Sequence, residues 1–545
     1  MKININNLNV KFPENRKVLN NISFDIKTNE NILIIGPSGS GKTTLLNVIS
    51  GIIPNQIDAT VNGNIDVGGI DPIRMQSELT ERIGIIFQNP EDMFATLKVE
   101  DEIAFSLENR LFDKDLARSR IMDKAGKLEL RDKLDRDINS LSGGEKQKLA
   151  IACIEAMEPE LLLLDEPTAL LDPNMTKDFF AYLHKSKRQF LIVEHKIDNI
   201  IDIIDKVLLL DEKGSIIDYD KPSNIFNKCG KTRYFKPKIF NLSCLISKKY
   251  NFKTTIKKSD IREFLIMNRN ILKITPYERN EKEEKIAVKI RDLYFNFDKK
   301  EFKYGNLNIY QGTIHSILGN NGSGKTTLLN LISGFLCNYK GLIEIFDKDV
   351  KDYKKTELYN ILGYVFQNPE MQFFNYTVWD EIDFSKKYIE GEIGSIGDLI
   401  NKFYLNDVLS NSPFNISTGE KRRLSVLLMT FYKQRILLLD EPTFGQDRET
   451  SIETMNLLKR LKNEGITIII ATHDIDNAID NSDYITIISD KGELKTYDIG
   501  NIYQSSFIKN YSDPLYDLLK DINRETGCMC NMITLKQWER ALCGD

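Results

Sequence analysis

Long apolar runs are missing from this 545-residue sequence, in which no strictly apolar segment exceeds the six residues of Leu149–Ile154. A helix that spans a bilayer needs about 18 such residues, so we expect no transmembrane segment. The N-terminal stretch MKININNLNVKF lacks the apolar core of a signal peptide, and we expect no secretory leader. The seven scattered cysteines are typical of reduced cytosolic thiols rather than of a disulfide framework.

A strong excess of either charge is also missing. The 74 basic and 79 acidic residues give a net charge of −5, which argues against one dominating basic surface but leaves room for a local basic patch. Hydrophobic residues make up 41% and charged residues 28% of the chain, as in globular proteins with large cores. At about 150 residues per domain, the length indicates three or four domains, or two large ones.

The sequence repeats itself. Lys42, Gln88, Asp165 and His195 each lie in a segment that returns 275 to 283 residues further along the chain, and the order is the same. The second copies of these landmarks are Lys325, Gln367, Asp440 and His473. Such agreement indicates a tandem duplication.

The repeat sets the predicted domain boundaries. We expect a first nucleotide-binding domain at 1–225, a basic accessory region with a charged linker at 226–286, a second nucleotide-binding domain at 287–500, and a C-terminal tail at 501–545. Within each half, short apolar runs such as Leu161–Leu164 alternate with helical stretches. This alternation predicts an α/β fold with a buried, mainly parallel sheet covered by helices.

The accessory region carries a run of positive charge. From Lys228 to Arg262 there are eleven Lys or Arg residues and one acid, Asp260, with aromatic residues interleaved. The run is the solvated face of a small subdomain, or it binds an anionic partner such as nucleic acid or phospholipid headgroups.

Both halves contain a phosphate-binding loop of the pattern G-x-x-x-x-G-K-[ST], placed between an apolar strand and a helix. The glycines let backbone N–H groups surround phosphates, and the helix N-terminus adds positive potential. Lys42 and Lys325 are expected to reach the β- and γ-phosphates of ATP, and Thr43 and Thr326 to ligate Mg²⁺. The expected nucleotide-binding residues are Gly36, Pro37, Ser38, Gly39, Ser40, Gly41, Lys42, Thr43 and Thr44 in the first loop and Gly319, Asn320, Asn321, Gly322, Ser323, Gly324, Lys325, Thr326 and Thr327 in the second.

An acidic pair follows an apolar strand in each half. Asp165 and Asp440 suit a magnesium ligand, and the adjacent Glu166 and Glu441 suit a general base that polarises the attacking water.

Two of the four histidines, His195 and His473, fall at equivalent places after these pairs, where an imidazole could hold the γ-phosphate and the water. His184 and His315 lack such matching and are expected to be structural.

At this point the sequence resembles the ATPase subunits of ABC transporters. Leu141-Ser-Gly-Gly-Glu145 is similar to that family's signature, and Ile416-Ser-Thr-Gly-Glu420 matches it imperfectly. By the resemblance, Gln88 and Gln367 are the Q-loop glutamines, which act in catalysis and as magnesium ligands, and Asp172 and Asp447 occupy the D-loop position. The residues that the resemblance further adds to the nucleotide sites are Phe12 and Phe297, stacked on adenine unless they are core residues, with Ser142, Gly143, Gly144, Ser417 and Gly419 of the signatures.

The resemblance also implies how the halves work. Two such halves pair head to tail and enclose two ATP molecules, so that each nucleotide contacts the phosphate loop of one half and the signature of the other. Closure around ATP and opening after hydrolysis would be the working motion. The sites would be unequal, because the signature facing the first phosphate loop has Thr418 where the other has Gly143. A β-branched residue narrows the backbone's options, so we expect slower turnover there.

Within the family, the segments at 90–105 and 369–384 resemble the energy-coupling factor (ECF) importers of vitamins and transition-metal ions. The implied partners are a membrane T-component and a substrate-binding S-component, with no nucleic acid, and the implied location is the cytoplasmic face of the membrane. Arg-bearing helices of the T-component could dock on Asp101-Glu102 and Asp380-Glu381. The alternatives are an ABC-F-like ATPase that acts on the ribosome and the fused ATPase of a sugar importer.

We predict that nucleotide binding requires Lys42 and Lys325 but tolerates different bases. The phosphates receive a lysine and several backbone donors, whereas adenine receives mainly a stacked ring worth about 0.5–1.5 kcal/mol beyond its buried area. Titrations with ATP and GTP should therefore differ in affinity by about tenfold. Discrimination far above a hundredfold would contradict this prediction.

Overall fold

The computed structural model describes most of the chain, and each half of the repeat is a layered α/β unit. The residues described are 1–13, 17–37, 39–108, 113–169, 171, 173–195, 197–228, 236–268, 285–297, 300–386, 396–431, 434–446, 448–489, 491–499, 501–502, 505–509, 513–526, 532 and 534–543, with the backbone only at 173, 174, 297, 300, 448, 449, 506, 509, 540, 541 and 543.

Two compact units make up the chain, and they do not follow its order strictly. The first unit comprises Met1–Arg269 together with Ser512–Cys528. The second comprises Asn270–Tyr511 and Met529–Asp545. A segment near the C-terminus is therefore part of the first unit.

The first unit alternates strands and helices along the chain. Its strands are β1 (Ile3–Lys11), β2 (Lys17–Ile26), β3 (Ile32–Ile35), β4 (Thr60–Val67), β5 (Ile83–Ile86), β6 (Leu161–Asp165), β7 (Gln189–Val193), β8 (Lys206–Leu210) and β9 (Ile216–Asp220). Its helices up to residue 269 are α1 (Lys42–Ile49), α2 (Ile52–Asn55), α3 (Gln76–Thr80), α4 (Val99–Glu108), α5 (Lys114–Lys127), α6 (Gly143–Ala156), α7 (Pro173–Ser186), α8 (Pro222–Lys228), α9 (Lys238–Lys249) and α10 (Lys258–Met267).

The second unit repeats this order. Its strands are β10 (Ile286–Phe297), β11 (Lys300–Tyr310), β12 (Ile314–Leu318), β13 (Lys340–Ile345), β14 (Lys348–Asp349), β15 (Leu362–Val365), β16 (Ile436–Asp440), β17 (Thr467–Thr472), β18 (Tyr484–Ile488) and β19 (Leu494–Asp498). The helices that follow residue 270 are α11 (Lys325–Ile332), α12 (Lys355–Ile361), α13 (Val378–Lys386), α14 (Ile396–Lys402), α15 (Thr418–Thr430), α16 (Arg448–Asn463), α17 (Ile475–Asn481), α18 (Ser506–Lys509), α19 (Pro514–Thr526, in the first unit) and α20 (Leu535–Cys543).

The core sheet of each unit is mainly parallel, as the sequence predicted. Its strand order is β5-β6-β7-β3-β8-β9 in the first unit and β15-β16-β17-β12-β18-β19 in the second. Only the last strand of each sheet runs antiparallel to its neighbour among the described strands. β3 and β6 are buried along their whole length, because helices and a second sheet cover both faces.

A smaller antiparallel sheet lies beside each core sheet, and helices complete each unit. The antiparallel sheet has the order β2-β1-β4 in the first unit and β11-β10-β13-β14 in the second. In the first unit, α4, α5 and α6 pack around a separate apolar cluster that includes Ile103, Ile121 and Leu149. None of the described helices combines the length and apolar character that a bilayer span requires.

The basic accessory region is folded onto the first unit. Phe240 of α9 is buried and packs on Phe226 with ring centroids 5.9 Å apart. The aromatic residues Tyr250 and Phe252 pack on Phe264 of α10. Two of the interleaved aromatics, Tyr234 and Phe235, lie outside the described residues.

Acidic residues of α19 and its N-terminus pair with the basic run. Lys238 pairs with Asp513, Lys258 lies 3.5 Å from the carboxylate of Asp521, and Arg262 pairs with Glu525; the first and last of these pairs are hydrogen-bonded ion pairs. Some basic side chains of the run from Lys228 to Arg262 therefore pair with acidic residues of their own unit.

Asp513 should be the strongest of these anchors. Its carboxylate is buried and also accepts hydrogen bonds from the N–H groups of Leu515 (2.8 Å) and Tyr516 (3.3 Å), so it caps α19. We predict that Asp513→Ala speeds amide hydrogen exchange in α19 by about tenfold or more. The control Glu525→Gln removes a largely exposed pair worth at most about 1 kcal/mol and should speed exchange by no more than about fivefold. Equal effects of the two changes would contradict this assignment.

Candidate active sites

Each phosphate-binding loop joins a buried parallel strand to a helix. Gly41 and Gly324 precede α1 and α11 with φ of 87° and 100°, in the left-handed region that favours glycine. A Cβ atom on Gly41 would lie 2.7 Å from the side chain of Leu19, and one on Gly324 would lie 2.6 Å from the hydroxyl of Tyr304. Conformation and close packing both require glycine here.

The two lysines lie across their own loops. Nζ of Lys42 donates to the carbonyl oxygens of Gly36 (3.0 Å) and Pro37 (2.9 Å). Nζ of Lys325 donates in the same way to those of Gly319 (2.9 Å) and Asn320 (3.1 Å). The ammonium groups are thus held at the loops where phosphates are expected.

Buried polar groups without hydrogen-bond partners lie in and beside both loops. The hydroxyls of Ser40 and Ser323 are buried at equivalent positions, and no described group pairs with either. The Oδ1 atom of Asp440 is also buried and unpaired among the described residues, while its Oδ2 accepts from the Thr326 hydroxyl at 2.7 Å. A hydroxyl beside a carboxylate with one unused oxygen is a donor set that fits Mg²⁺.

The two aspartates share an unusual electrostatic environment. Burial raises the pKa of Asp165 to about 6, although the hydrogen bond from Thr43 and the charge of Lys42 act in the opposite direction. Burial likewise raises the pKa of Asp440, against the hydrogen bond from Thr326. A cation in contact with these carboxylates would favour their charged form.

The glutamates that follow are held in strained backbone conformations. Glu166 and Glu441 have φ of 45° and 47°, which is uncommon for residues other than glycine. Their N–H groups donate to the carbonyl oxygens of Val193 and Ala471 on the neighbouring strand. Such strain persists where the surroundings fix it, and it is common at active sites.

The histidines of both repeats contact these glutamates. Nε2 of His195 lies 2.9 Å from Oε1 of Glu166, and Nδ1 of His473 lies 3.0 Å from Oε1 of Glu441. Burial acts to raise the pKa of each glutamate, but the histidine hydrogen bond, the charge of the histidine and that of the phosphate-loop lysine outweigh it. Both pKa values lie below their ordinary range, so the carboxylates are ionised and able to accept a proton.

The other oxygen of each glutamate has a different partner in the two units. Nε2 of Gln88 donates to Oε2 of Glu166 at 2.9 Å. In the second unit, the Thr472 hydroxyl donates to Oε2 of Glu441 at 3.0 Å. Both glutamines, Gln88 and Gln367, are exposed. Lys325 also lies 3.9 Å from Glu441.

A second buried carboxylate distinguishes the first unit. Glu194 occupies the position of Thr472 and accepts from the Thr168 hydroxyl at 2.6 Å. Neither Glu194 nor Thr472 was assigned a role from the sequence alone. The signal for both was a position at which the two repeats carry different residues.

The signature motifs begin helices in both units. Ser142 caps α6 in a capping box with Glu145, and Ser417 caps α15 in the same way with Glu420. Thr418 is the first residue of α15, and its backbone is helical, as is that of Gly143 in α6. Thr418 therefore keeps its N–H at the helix start, and slower turnover at the site that its signature faces stays a prediction.

Not every predicted position lies in the described part of the chain. Ser38, Asp172 and Asp447 and the ring of Phe297 are outside it. Phe12 is half-buried and packs against the apolar core of the first unit.

Of the two histidines expected to be structural, His315 is fully buried and His184 is exposed. Nε2 of His315 lies 2.6 Å from the Thr486 hydroxyl, and burial lowers the pKa of His315 to about 3, so the ring is neutral.

Comparison with known proteins places these sites in a family. The ABC transporter family model matches residues 19–169 and 302–444. An HMP/thiamine import ATP-binding protein, YkoD, of Bacillus subtilis (strain 168) is 32% identical over 498 residues, which cover 90% of both chains. An ABC transporter ATP-binding protein of Saccharolobus solfataricus is 32% identical over 488 residues, covering 86% of this chain and 88% of its own.

Solved structures share the tandem fold. The archaeal ribosome recycling factor aABCE1, in its complex with the ribosomal stalk protein aP1, matches with a TM-score of 0.60 and 20% identity over 98% of both chains. At this identity the likeness concerns the fold alone.

We predict unequal effects of removing the two glutamates. Glu441→Gln should abolish most ATP hydrolysis, whereas Glu166→Gln should leave a larger fraction. By the head-to-tail pairing that the resemblance implies, the complete signature Ser142-Gly143-Gly144 serves the Glu441 site. Steady-state ATPase assays of the full chain measure both values.

Thr418→Gly is the matched test of the signature. Because Thr418 retains its N–H at the helix start, the gain in turnover should stay well short of the roughly hundredfold that loss of such a donor costs. Equal losses from the two glutamate variants, together with no gain from Thr418→Gly, would contradict the asymmetry.

Proposed function

This chain belongs to the ABC transporter family, and we propose that it is the ATP-hydrolysing, energy-coupling subunit of a membrane importer. The name of its Bacillus subtilis relative, an HMP/thiamine import ATP-binding protein, supports an importer. The resemblance of segments 90–105 and 369–384 favours the ECF type, for a vitamin or a transition-metal ion. Its partners would be a membrane T-component and a substrate-binding S-component. The chain would lie peripherally at the cytoplasmic face of the membrane.

The proposed chemistry uses the residues of each unit in the same roles. Lys325 and the N–H groups of its loop would bind the phosphates of ATP, and Thr326, Asp440 and Gln367 would hold Mg²⁺. The metal, when bound, offsets negative charge on the phosphates. Glu441 accepts a proton from the attacking water, and His473 orients that carboxylate. The corresponding residues of the first unit are Lys42, Thr43, Asp165, Gln88, Glu166 and His195.

An exposed aromatic surface beside Gln367 is the observation that carries the importer proposal. Met371, Phe374, Tyr376 and Trp379 are 67%, 79%, 91% and 46% exposed, and they lie within nine residues of sequence. Large apolar side chains grouped on a surface mark sites of protein contact. We call these four residues the Q-loop aromatic surface.

Hydrogen bonds to a buried glutamate fix the backbone of the loop that bears this surface. Glu381 is buried, and its carboxylate accepts hydrogen bonds from the N–H groups of Phe374 and Asn375, the second at 2.6 Å. Glu102 holds the N–H groups of Ala95 (3.0 Å) and Thr96 (2.7 Å) in the first unit. These contacts present the loop in one conformation, which favours docking of a partner.

The same contacts change the expectation for the acidic pairs. Glu102 and Glu381 are committed to their own loops and are not available to an incoming arginine. Asp101 and Asp380 are exposed and remain candidates for that role.

The first unit has a cleft at the equivalent place. It has a volume of about 620 Å³ and lies between the segment after Gln88, α4 and the C-terminal half of α6. Its lining includes Met93, Phe94, Phe105, Cys153 and Met157, with Glu81 at one side. A partly apolar cleft of this size suits a short helix of a membrane partner.

The ribosome-acting alternative depends on the basic accessory region. Lys238, Lys258 and Arg262 already pair with acids in and beside α19, which leaves less charge for an RNA backbone. The fused ATPase of a sugar importer remains the other alternative, and it would bind a different permease.

Co-purification from detergent-solubilised membranes tests the proposal. We expect the native chain to bring down an integral membrane protein. The double change Phe374→Asp and Tyr376→Asp should reduce that recovery by about tenfold or more, because charges replace apolar contact area. ATP hydrolysis by the purified variant should persist, since neither side chain lies at a phosphate loop.

Met267→Asp is the control, because Met267 is an apolar side chain that is 73% exposed and belongs to the accessory region of the first unit. Recovery of the native chain with ribosomes and without any membrane protein would contradict the importer proposal.

A further inference from the structure

A fully buried arginine lies behind the second catalytic site. Arg422 is 1% exposed and belongs to α15, the helix that begins at the signature of its unit. Its Nη1 donates to the carbonyl oxygen of Phe366 at 2.5 Å. Its Nη2 donates to the carbonyl oxygens of Gln367 at 2.8 Å and Glu441 at 3.4 Å. One guanidinium thus joins three segments of the second unit.

The positive charge of this group is retained in an unusual place. Burial lowers the pKa of Arg422 to about 10, while the nearby carboxylates of Asp440 and Glu441 act to raise it. Arginine is seldom fully buried unless its donors are paired. Here backbone carbonyls at the catalytic site pair with Nη1 and Nη2, while Nε has no partner among the described residues.

The repeat provides an internal comparison. Gln147 occupies the same position in α6 and is equally buried, at 1% exposed. Its Nε2 has no hydrogen-bond partner among the described residues. The first unit therefore has a shorter, neutral side chain at this position.

A second contact between the signature helix and the Q-loop segment is present in both units. Lys421 pairs with Glu370 at 2.5 Å, and Lys146 pairs with Glu91. Each pair joins the signature helix to the residues just after the Q-loop glutamine. Both units therefore join these segments by an ion pair. They differ in that an arginine adds hydrogen bonds between the segments in the second unit.

We propose that Arg422 is a positioning residue, which fixes the Q-loop backbone and the backbone of Glu441 to the signature helix of the second unit. This proposal rests on the proposed ATPase function and deepens it. When a nucleotide at the Lys325 site displaces the Q-loop, α15 and its signature move with it. Gln147 makes no such contact with the described residues of the first unit, so the signature helix there follows its own Q-loop less closely.

The geometry supports a role in position rather than in chemistry. Arg422 contacts carbonyl oxygens, which accept hydrogen bonds whatever the state of the nucleotide. Phe366, whose carbonyl it binds, is also packed against Phe335 and Tyr364, with ring centroids 6.1 and 4.8 Å apart. Loss of the guanidinium would release the backbone but leave that ring packing in place.

Tryptophan fluorescence of the full chain can follow the Q-loop. The sequence has two tryptophans, of which Trp379 is 46% exposed at the start of α13 and Trp538 is fully buried. AMP-PNP with Mg²⁺ is the probe, and Trp379→Phe identifies the part of the signal that belongs to Trp379. Steady-state ATP hydrolysis of the same variants gives kcat and KM.

Arg422→Gln places the residue of the first unit in the second. We expect kcat to fall about tenfold, since hydrogen bonds to charged groups contribute about that much or more to an equilibrium constant. KM should change less than about threefold, because the phosphate loop is untouched, and the response of Trp379 to AMP-PNP should be largely lost. Arg422→Lys keeps the positive charge but not the planar guanidinium with its several donors. Its kcat and its Trp379 response should therefore lie between those of Arg422→Gln and of the native chain.

Gln147→Ala is the matched control. It removes a buried side chain from the equivalent helix without removing a hydrogen bond of its amide nitrogen, and it should change kcat and the Trp379 response less than about twofold. A general loss of stability would affect both variants alike, and thermal unfolding of each measures that effect. If Arg422→Gln does not fold, Arg422→Lys decides the test on the same two measurements.

Three results would overturn the proposal. The first is a folded Arg422→Gln, or in its place a folded Arg422→Lys, with native kcat and a native Trp379 response. The second is an equal loss in Gln147→Ala, and the third is a native chain whose Trp379 does not respond to AMP-PNP. None of these bears on the importer proposal, which fails instead if the native chain has no ATPase activity or recovers no membrane protein.

Discussion

The buried carboxylate at the end of an apolar strand is the feature around which each unit is arranged. Burial of a charge is costly unless hydrogen bonds or opposite charges compensate for it. Glu441 meets this requirement with Thr472, His473 and the nearby ammonium of Lys325. The parallel sheet makes the arrangement possible, because β12, β16 and β17 end at the same edge. Phosphate loop, acidic pair and histidine are therefore neighbours in space although far apart in sequence.

The two repeats support the same carboxylate by different means. In the first unit, Gln88 donates to Glu166, and a further carboxylate, Glu194, lies buried nearby. In the second unit, a hydroxyl replaces that carboxylate and a buried guanidinium replaces a neutral amide. The duplication has thus kept the charged group and its histidine while the surrounding residues have diverged. Two sites with the same motifs have unequal local electrostatics.

Much of this could be predicted from sequence, for a physical reason. A phosphate loop, an acidic pair and a buried strand are each encoded by a few adjacent residues, so the local pattern is sufficient. The run Leu161–Leu164, for example, predicts a strand covered on both faces, and the strand is buried throughout. The repeat then indicated that His195 and His473, rather than His184 and His315, belong to the sites.

Other features depend on contacts that no local pattern reveals. Glu102 was expected to face a partner as an exposed acid, but its carboxylate turns back to bind the backbone six and seven residues earlier. That Thr418 starts a helix and keeps its N–H at the helix start was not evident from the motif alone. Arg422 gave no sign of burial, since arginine is mostly exposed in proteins. The pairing of α19 and its N-terminus with α9 and α10, over separations of 263 to 275 residues, could not be predicted from any periodicity.

That pairing has a consequence for how the chain is made. A ribosome completes the second unit up to Tyr511 before it synthesises the helix that belongs to the first. Until then, the basic helices α9 and α10 lack the acidic residues with which they pair, and the first unit is incomplete. Proteins usually fold domain by domain from the N-terminus during synthesis. In this chain the unit that starts first is finished only after nearly all of the other has been translated, so a fragment that stops between the halves leaves its first unit incomplete.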